Sequence, residues 1–259
     1  MTVYLSVVSH GHGELISQID VLSKINHAYK VVVKNNKQDI VLIDYLKSKN
    51  IEFIDSDYFL GFGENNNLVF SFCLKKLGMN ADDIFIVLNP DVDVDISQIE
   101  MLVNEMKKNG DSCVAINLYK SFENNISDNS IRQFPSLMTF ASSFLGLGNG
   151  TIIDKSLIDH PCKVDWAAGS FLAFNASHYN KLKGFDEGYF MYCEDVDICF
   201  RSKLSGTPVK YYPHVKALHL ARHANRRIFS KHFYWHLKSA LRFILTKYGL
   251  TSNKSSLID

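Results

Sequence analysis

Short apolar runs alternate with helix-like patterns through the first half of the chain. The runs predict buried strands at residues 3–8, 29–33, 52–54 and 84–88. Between them, apolar residues recur at helical spacing over residues 14–23, 40–48 and 65–77. Strands separated by helices of this length predict a mostly parallel sheet with helices on both faces. Ligands bind such sheets at the carboxyl ends of the strands, here residues 9–12, 34–36 and 89–93.

The second half is less regular at first. Residues 97–118 predict one more helix and strand, and residues 119–161 predict a loop with short helices. Regular patterning returns with strands at 168–174 and 209–212 and a helix at 194–205. No internal repeat or low-complexity linker is present. One α/β domain over residues 1–220 with a helical tail over 221–259 is the simplest organisation.

Composition supports a folded chain with an uneven charge distribution. Of 259 residues, 46% are apolar and 21% are charged, which excludes a disordered chain. The net charge of +1 is divided unequally: residues 1–197 carry 16 Lys/Arg and 26 Asp/Glu, whereas residues 198–258 carry 12 Lys/Arg and no acid. A basic block of this kind favours a polyanionic partner, which could be nucleic acid, anionic lipid or a substrate diphosphate.

Cysteine use and the N-terminus indicate a cytosolic protein. The five cysteines are widely spaced and form no CxxC pair, so neither a disulfide framework nor a cysteine zinc site is predicted. The N-terminus has no basic segment before its apolar run of six residues, which is therefore read as a strand and not as a signal peptide. No stretch reaches the roughly 18 apolar residues of a membrane span.

Two clusters carry candidate chemistry. Asn89-Pro90-Asp91-Val92-Asp93 directly follows an apolar strand, where carboxylates can hold a divalent cation, although a turn before a helix N-cap explains it equally well. Glu194, Asp195 and Asp197 follow an aromatic segment at a predicted helix start. One of them could be a general base, and the alternative is ordinary first-turn helix acids.

Two further features are weaker. His219 follows a strand-like run and could be a third metal ligand, or simply a structural histidine. The segment 61–67, GFGENNN, could direct backbone N–H groups at phosphate, or form a tight turn with an asparagine N-cap.

Taken in order, these motifs resemble the family 2 glycosyltransferases. The resemblance covers nearly the whole chain and is carried by VSHGHG, GFGENNN, LNPDVDV, WAAGSFLAFNASHYNKLKGFDEGYFMYCEDVDICFR and ALHLARH. More narrowly, SIRQFP, VDWAAGSF, GYFMYCEDVD and FSKHFYWHLKSALRF are similar to bacterial O-antigen rhamnosyltransferases that act on a lipid-linked acceptor.

The resemblance implies a nucleotide-sugar-binding, GT-A-like fold, with a donor half at about 1–118 and an acceptor half at about 119–220. It implies Asp195 as the catalytic base and a Mg²⁺ or Mn²⁺ site at Asp91, His219 and Asp93. The implied donor-binding residues are Ser9, Asn35, Gly63, Asn66, Asn89 and Asp91. The implied acceptor-binding residues are Trp166, Gly169, Glu194 and Arg132.

The chain departs from the family pattern at two positions. Asn89 replaces the first Asp of the Asp-x-Asp metal motif, so Asp93 either compensates or is irrelevant. The second strand ends in Lys34-Asn35-Asn36, where many members have an Asp that reads the nucleotide base.

The implied activity is inverting transfer of L-rhamnose from dTDP-β-L-rhamnose to an undecaprenyl-diphosphate-linked sugar in O-antigen and lipopolysaccharide biosynthesis. A sister transferase using UDP-galactofuranose or a UDP-hexose would keep every motif. A nucleic-acid-binding protein is a third reading that the acidic remainder of the chain disfavours, so no nucleic-acid partner is expected.

The tail predicts contact with a membrane. If residues 229–248 are helical, one apolar stripe about 120° wide forms from Phe229, Phe233, Leu237, Ala240, Leu241, Ile244 and Tyr248. Lys231, Trp235, Lys238 and Arg242 fall on the opposite side. Tryptophan among basic residues suits the headgroup layer, so this basic face is predicted to dock on the anionic cytoplasmic face of the inner membrane. The alternative is an apolar stripe packed on the domain with a solvated basic face.

Overall fold

The computed structural model describes residues 1–144, 146–148, 150–220 and 231–257. Within these ranges the chain forms twelve strands and nine α-helices. The strands are β1 (Val3–Ser9), β2 (Lys30–Asn35), β3 (Glu52–Ile54), β4 (Ile84–Leu88), β5 (Val92–Asp93), β6 (Cys113–Ser121), β7 (Ile126–Ser127), β8 (Ile131–Arg132), β9 (Cys162–Lys163), β10 (Trp166–Ala167), β11 (Phe171–Asn175) and β12 (Lys210–His219). The helices are α1 (Gly13–Ile19), α2 (Val21–Asn26), α3 (Ile40–Ser48), α4 (Phe62–Lys76), α5 (Ile96–Asn109), α6 (Leu137–Phe144), α7 (Ala176–Lys181), α8 (Glu194–Leu204) and α9 (Lys231–Lys247).

One large mixed sheet organises the domain, with the strand order β3-β2-β1-β4-β11-β6-β12-β5. The first four strands of this order pair in parallel, and so do β6 and β12. β11 lies between β4 and β6 and is antiparallel to both. Strands from both predicted halves of the chain therefore share one sheet. A separate two-stranded sheet joins β8 to β10.

The two faces of the sheet carry separate apolar clusters. Along β1, Leu5 and Val7 face one cluster and Tyr4 faces the other, as expected for side chains that alternate across a strand. Helices α1, α2, α3 and α5 cover the first face, whereas α4, α7 and α8 cover the second. Each fully buried large apolar side chain contributes about 1.5–3 kcal/mol relative to exposure, so burial on both faces holds the strand ends in fixed positions.

Two predicted helices have different bounds. The single helix predicted at 14–23 is interrupted at Asp20, which has a left-handed backbone (φ 51°) and separates α1 from α2. Helix α4 begins at Phe62, three residues before the predicted start. It includes Gly63, where a Cβ atom would lie 2.6 Å from Cβ of Phe185. Glycine is needed there because the helix and the loop approach closely.

Helix α9 contacts the domain through part of the basic face that was predicted to dock on the membrane. The Trp235 ring lies 4.8 Å from that of Phe190, and the Arg242 guanidinium bonds to Asp186. Ala240 and Phe243 are buried beside Phe140 of α6.

The predicted orientation of the tail helix is therefore wrong. Ala240 of the predicted apolar stripe is buried, but Leu237, Leu241 and Tyr248 of the same stripe are exposed. Helical periodicity defines faces, but contacts with the rest of the fold decide which face is buried. Residues 221–230 of the predicted tail, including Phe229, lie outside the described residues. No helix in the described ranges combines the length and apolar character needed to cross a bilayer.

Candidate active site

The carboxyl ends of the central strands meet at one edge of the sheet. Ser9 at the end of β1 pairs with Asn35 at the end of β2, and Val7 pairs with Leu88, the residue before Asn89. The structure thus brings together the three strand ends in which the sequence placed a ligand site.

His219 lies between two carboxylates at the end of β12. β12 pairs with β5 so that His219 is opposite Val92, the neighbour of Asp91. The Nδ1 atom of His219 is 2.6 Å from Oδ2 of Asp128, and its Nε2 atom is 3.4 Å from Oδ1 of Asp91. All three side chains are largely buried, with 12–16% of their surface exposed.

These contacts set the charges of the group. Burial lowers the pKa of His219, but the hydrogen bonds and charges of Asp128 and Asp91 outweigh it and raise the pKa to about 9. Burial acts to raise the pKa of Asp91 and of Asp128. The hydrogen bond and charge of His219 outweigh this effect and lower both pKa values. By itself, the group therefore holds an imidazolium between two carboxylates at neutral pH.

Asp91 and His219 fit a divalent cation as a pair of ligands. Adjacent ligand atoms on one octahedral cation, with bonds of about 2.1 Å, lie roughly 3 Å apart, close to the 3.4 Å between Oδ1 and Nε2. Over the described ranges, no three His, Cys, Asp or Glu side chains are grouped to hold a metal ion. A cation here would take its remaining ligands from substrate or water.

Asp93 does not join this group. Its side chain is exposed and makes no hydrogen bond or ion pair with Asp91, Asp128 or His219. The reason is its place in β5, where it pairs with Leu218. The structure gives Asp93 no contact that would compensate for Asn89.

The three carboxylates at the start of α8 differ in exposure. Asp197 is fully buried and pairs with Arg201 at 2.7 Å. Glu194 is buried, whereas Asp195 is half-buried. Asp195 accepts hydrogen bonds from the backbone N–H groups of Val196 (2.9 Å) and Gly169 (3.1 Å). Of the three carboxylates, Asp195 is therefore the one that can reach a substrate.

Of Glu194 and Asp195, Asp195 has the contacts that stabilise a negative charge. Burial raises the pKa of Asp195, but the two backbone N–H groups and the positive charge of Arg132 oppose that rise. Burial, followed by the charge of Asp195, raises the pKa of Glu194 well above its usual range. Two backbone N–H groups therefore stabilise a negative charge on Asp195, whereas Oε2 of Glu194 has no hydrogen-bond partner among the described residues.

Two adjacent residues link Asp195 to the loop after β4. Gly169 donates to Asp195, and the carbonyl of Ser170 accepts the backbone N–H of Asn89 at 3.0 Å. A Cβ atom at Gly169 would lie 3.0 Å from the Phe62 ring, so this turn is tightly enclosed. The turn keeps the Asp195 carboxylate beside the Asn89–Asp91 segment.

Trp166 and Arg132 lie on the Asp195 side of this site. They pair between β10 and β8, and the guanidinium carbon of Arg132 is 5.5 Å from the centroid of the Trp166 ring. The Arg132 Nε–H donates to the carbonyl of Asn129, and the indole N–H donates to that of Gln133. This fixed arrangement explains how the charge of Arg132 acts on Asp195.

The remaining predicted donor residues have internal contacts. Asn66 is fully buried; its amide accepts from the Ser6 hydroxyl and donates to the Phe62 carbonyl. Gly63 is within α4 and not in a phosphate-facing loop before it. Asn35 donates to Asp55 at 2.8 Å, while its own Oδ1 has no hydrogen-bond partner among the described residues.

Two residues near Asp91 were missing from the predicted site. Asp128 lies in an irregular segment and meets His219 across 91 positions of sequence, so no local signal marked it. His12 follows β1, and its charge interacts with that of Asp91. Its place at a strand end was the available signal.

Comparison with known proteins reveals relatives over almost the full length. The chain is 35% identical to the rhamnosyltransferase WbbL of Escherichia coli strain K12 over 255 residues, which are 98% of this chain and 96% of that protein. It is 29% identical to N-acetylglucosaminyl-diphospho-decaprenol L-rhamnosyltransferase of Mycobacterium tuberculosis strain H37Rv, over 77% of this chain and 68% of that protein. No family model matches the chain.

The fold also matches a solved enzyme structure. Glucosyl-3-phosphoglycerate synthase from Mycobacterium tuberculosis, in complex with Mn²⁺, UDP and glucosyl-3-phosphoglycerate, is similar with a TM-score of 0.60. The match covers 97% of this chain and 81% of that one at 10% identity, so it establishes a shared fold.

Proposed function

The chain belongs to the family of bacterial rhamnosyltransferases that includes WbbL and has the GT-A glycosyltransferase fold; on this basis we propose the reaction that it performs. It moves L-rhamnose from dTDP-β-L-rhamnose to a hydroxyl of an undecaprenyl-diphosphate-linked sugar, in O-antigen and lipopolysaccharide biosynthesis. The observation that carries the chemistry is the half-buried carboxylate of Asp195, fixed by Gly169 beside the Asn89-Asp91 segment.

Asp195 acts as the general base. It takes the proton of the acceptor hydroxyl while that oxygen forms a bond to the anomeric carbon, and the bond from this carbon to the departing dTDP breaks. Attack opposite the leaving group inverts the anomeric carbon, and a single displacement needs one base and no enzyme nucleophile. Arg132 supports the reaction because its positive charge favours the ionised form of Asp195.

Asp91 and His219 would hold a divalent cation, which would neutralise charge on a departing diphosphate. The imidazole nitrogen suits Mn²⁺ better than Mg²⁺, which prefers oxygen ligands. His219 would bind such an ion as the neutral imidazole.

The acceptor lies on the side of Trp166, Arg132 and Gly169, whereas Glu194, which the sequence also assigned to the acceptor, is buried. The Trp166 ring is partly exposed, and the hydrogen bond from its indole N–H to the Gln133 carbonyl fixes its orientation. Such a ring can stack on a sugar face beside the base. Ser9, Asn35 and Asn89 are assigned to the donor side because they lie at the strand ends.

Helix α9 contacts the membrane that carries the acceptor. Its exposed face presents Tyr234, Leu237, Leu241, Leu245 and Tyr248. Lys231, Lys238 and Lys247 are also exposed on this helix. Leucine and tyrosine side chains bordered by lysines fit the boundary of an anionic bilayer. The protein is thus placed peripherally on the cytoplasmic face of the inner membrane, and the contact is made by this apolar face.

A donor panel tests the proposed reaction. Purified protein is incubated with a lipid-diphosphate GlcNAc acceptor, Mn²⁺ and, separately, dTDP-L-rhamnose, UDP-galactofuranose and UDP-glucose. We expect a product with the mass of an added deoxyhexose from dTDP-L-rhamnose alone, and none with Asp195→Asn. A hexose product from either UDP donor, with no product from dTDP-L-rhamnose, would overturn the donor assignment.

A further inference from the structure

The two ring nitrogens of His219 have different partners. Nδ1 is 2.6 Å from Oδ2 of Asp128, whereas Nε2 is 3.4 Å from Oδ1 of Asp91. A carboxylate accepts hydrogen bonds, so a neutral His219 carries its proton on Nδ1 and its lone pair on Nε2. Asp128 therefore selects the ring form whose lone pair faces the oxygen of Asp91.

Asp128 is itself held rigidly. Its backbone N–H donates to the carbonyl of Leu118 in β6 at 2.9 Å. The buried ammonium of Lys155 donates to the same carbonyl at 2.6 Å and to the Ser130 hydroxyl at 3.3 Å. The backbone of Asp128 and, through Lys155, the side chain of Ser130 are thus tied to β6, which keeps the Asp128 carboxylate within reach of His219.

We propose that Asp128 is a positioning residue for metal binding: it fixes the tautomer and orientation of His219 so that Nε2 and Asp91 bind one divalent cation. This inference rests on the proposed function, in which Asp91 and His219 are the ligands. A carboxylate that orients a histidine ligand typically changes metal affinity by about 10- to 100-fold. Asp128 acts through His219 and does not touch the ion.

Mn²⁺ binding measures this role directly. Mn²⁺ is titrated calorimetrically into the protein with saturating dTDP, for the wild type, Asp128→Ala, Asp128→Asn, His219→Ala and the double variant Asp128→Ala/His219→Ala. We expect Asp128→Ala to weaken binding about 10- to 100-fold. Asp128→Asn should weaken it less, because an amide oxygen still accepts from Nδ1–H. The double variant should bind no more weakly than His219→Ala alone.

The pattern separates positioning from general damage. Asp159→Ala, which removes an exposed carboxylate beside His160, is the matched control and should bind Mn²⁺ like the wild type. Thermal unfolding checks that each variant is folded, and if Asp128→Ala is not, the isosteric Asp128→Asn carries the test. Additive losses in the double variant would overturn the proposal, because a residue that acts through His219 has no effect without it.

The outcomes also distinguish this inference from the proposed function. Wild-type affinity in folded Asp128→Ala, together with rhamnose transfer by the wild type, would overturn the inference alone. A wild-type protein that binds no Mn²⁺ with dTDP would overturn both the inference and the assigned ligand pair.

Discussion

Oδ2 of Asp195 accepts a hydrogen bond of 3.1 Å from the backbone N–H of Gly169. The next residue, Ser170, accepts the backbone N–H of Asn89, so the orientation of the carboxylate is tied to the strand end that leads to Asp91. The position of the base thus depends on backbone N–H donors, and these donors stay in place when the Asp195 side chain is replaced.

Replacing Asp195 by Asn should lower turnover by at least about 10²-fold, the usual cost of losing a general base. Affinity for dTDP should be nearly unchanged, since the amide keeps the size of the side chain and its oxygen still accepts one of the two backbone hydrogen bonds. Turnover is measured by product mass and dTDP affinity by calorimetry. Near-wild-type turnover in Asp195→Asn would show that the base lies elsewhere.

The neighbouring carboxylates should respond differently. Asp197 is fully buried against Arg201, so Asp197→Asn should cost about 3 kcal/mol of unfolding free energy by leaving that charge poorly paired. Glu194→Gln should lower turnover less than Asp195→Asn. Urea unfolding of all three variants separates the loss of stability from the loss of chemistry.

Breaking the Arg242–Asp186 pair should detach helix α9 from the domain. Arg242 bonds twice to the nearly fully buried carboxylate of Asp186, at 2.6 and 3.0 Å, and once to the Ser252 carbonyl. Arg242→Gln should therefore lower the unfolding free energy by about 3 kcal/mol. Lys238→Gln, at an exposed position of the same helix, should change it by less than about 0.5 kcal/mol. Equal urea midpoints for both variants would show that the ion pair does not hold the helix.

The exposed face of α9 should bind anionic vesicles through leucines and lysines together. Leu237→Ser/Leu241→Ser/Leu245→Ser should abolish co-sedimentation with phosphatidylglycerol vesicles at low and high salt. Lys231→Glu/Lys238→Glu/Lys247→Glu should remove the salt-sensitive part, roughly 10²-fold at about 1 kcal/mol per lysine. Leu157→Ser, at an exposed leucine of the domain away from α9, is the control. Binding that survives both triple changes would exclude this face as the membrane contact.

His178 should make the fold sensitive to acid. Its Nε2 atom is 2.7 Å from the Ser202 hydroxyl, and burial lowers the pKa of His178 to about 4, below its value of about 6.5 in the unfolded chain. As the pH falls below 6.5 the unfolded chain binds the proton first, so stability decreases until about pH 4, by up to about 3 kcal/mol.

Urea midpoints at pH 7.5, 6.0 and 5.0 measure this loss. His178→Gln should have a lower urea midpoint than the wild type at pH 7.5, and its midpoint should change less with pH. The midpoint of His160→Gln, at an exposed histidine, should change with pH as that of the wild type does. The same pH slope in His178→Gln and the wild type would contradict the prediction.

Local chemistry was sufficient to predict much of the fold and part of the site. The motifs indicated the family and the GT-A fold, and the relatives and the structural match confirm both. Carboxylates at a strand end and at a helix start stand out within a few residues, and the resemblance to the family singled out Asp91 and Asp195 among them. The roles assigned to them remain predictions that the experiments above address.

What the sequence did not reveal depends on contacts between distant segments. The sequence placed Gly63 in a phosphate-binding loop because nothing nearby indicates its contact with Phe185, which is 122 positions away. The periodicity of α9 separated its faces, but only the contacts of Trp235 and Arg242 decide which face is buried. Asp128 carried no local signal at all, since its partner lies at the end of another strand.

The antiparallel strand β11 bears on how the protein is made. β4 and β6 are complete by residue 121, yet the strand that separates them, Phe171–Asn175, is synthesised some fifty residues later. Until it leaves the ribosome, apolar β4 and the buried first part of β6 each have an unpaired edge facing the same gap. The centre of the sheet is therefore completed late in translation, when this one short strand pairs between β4 and β6. A nascent chain that stalls before that point exposes strand edges to which chaperones can bind or through which the chain can aggregate.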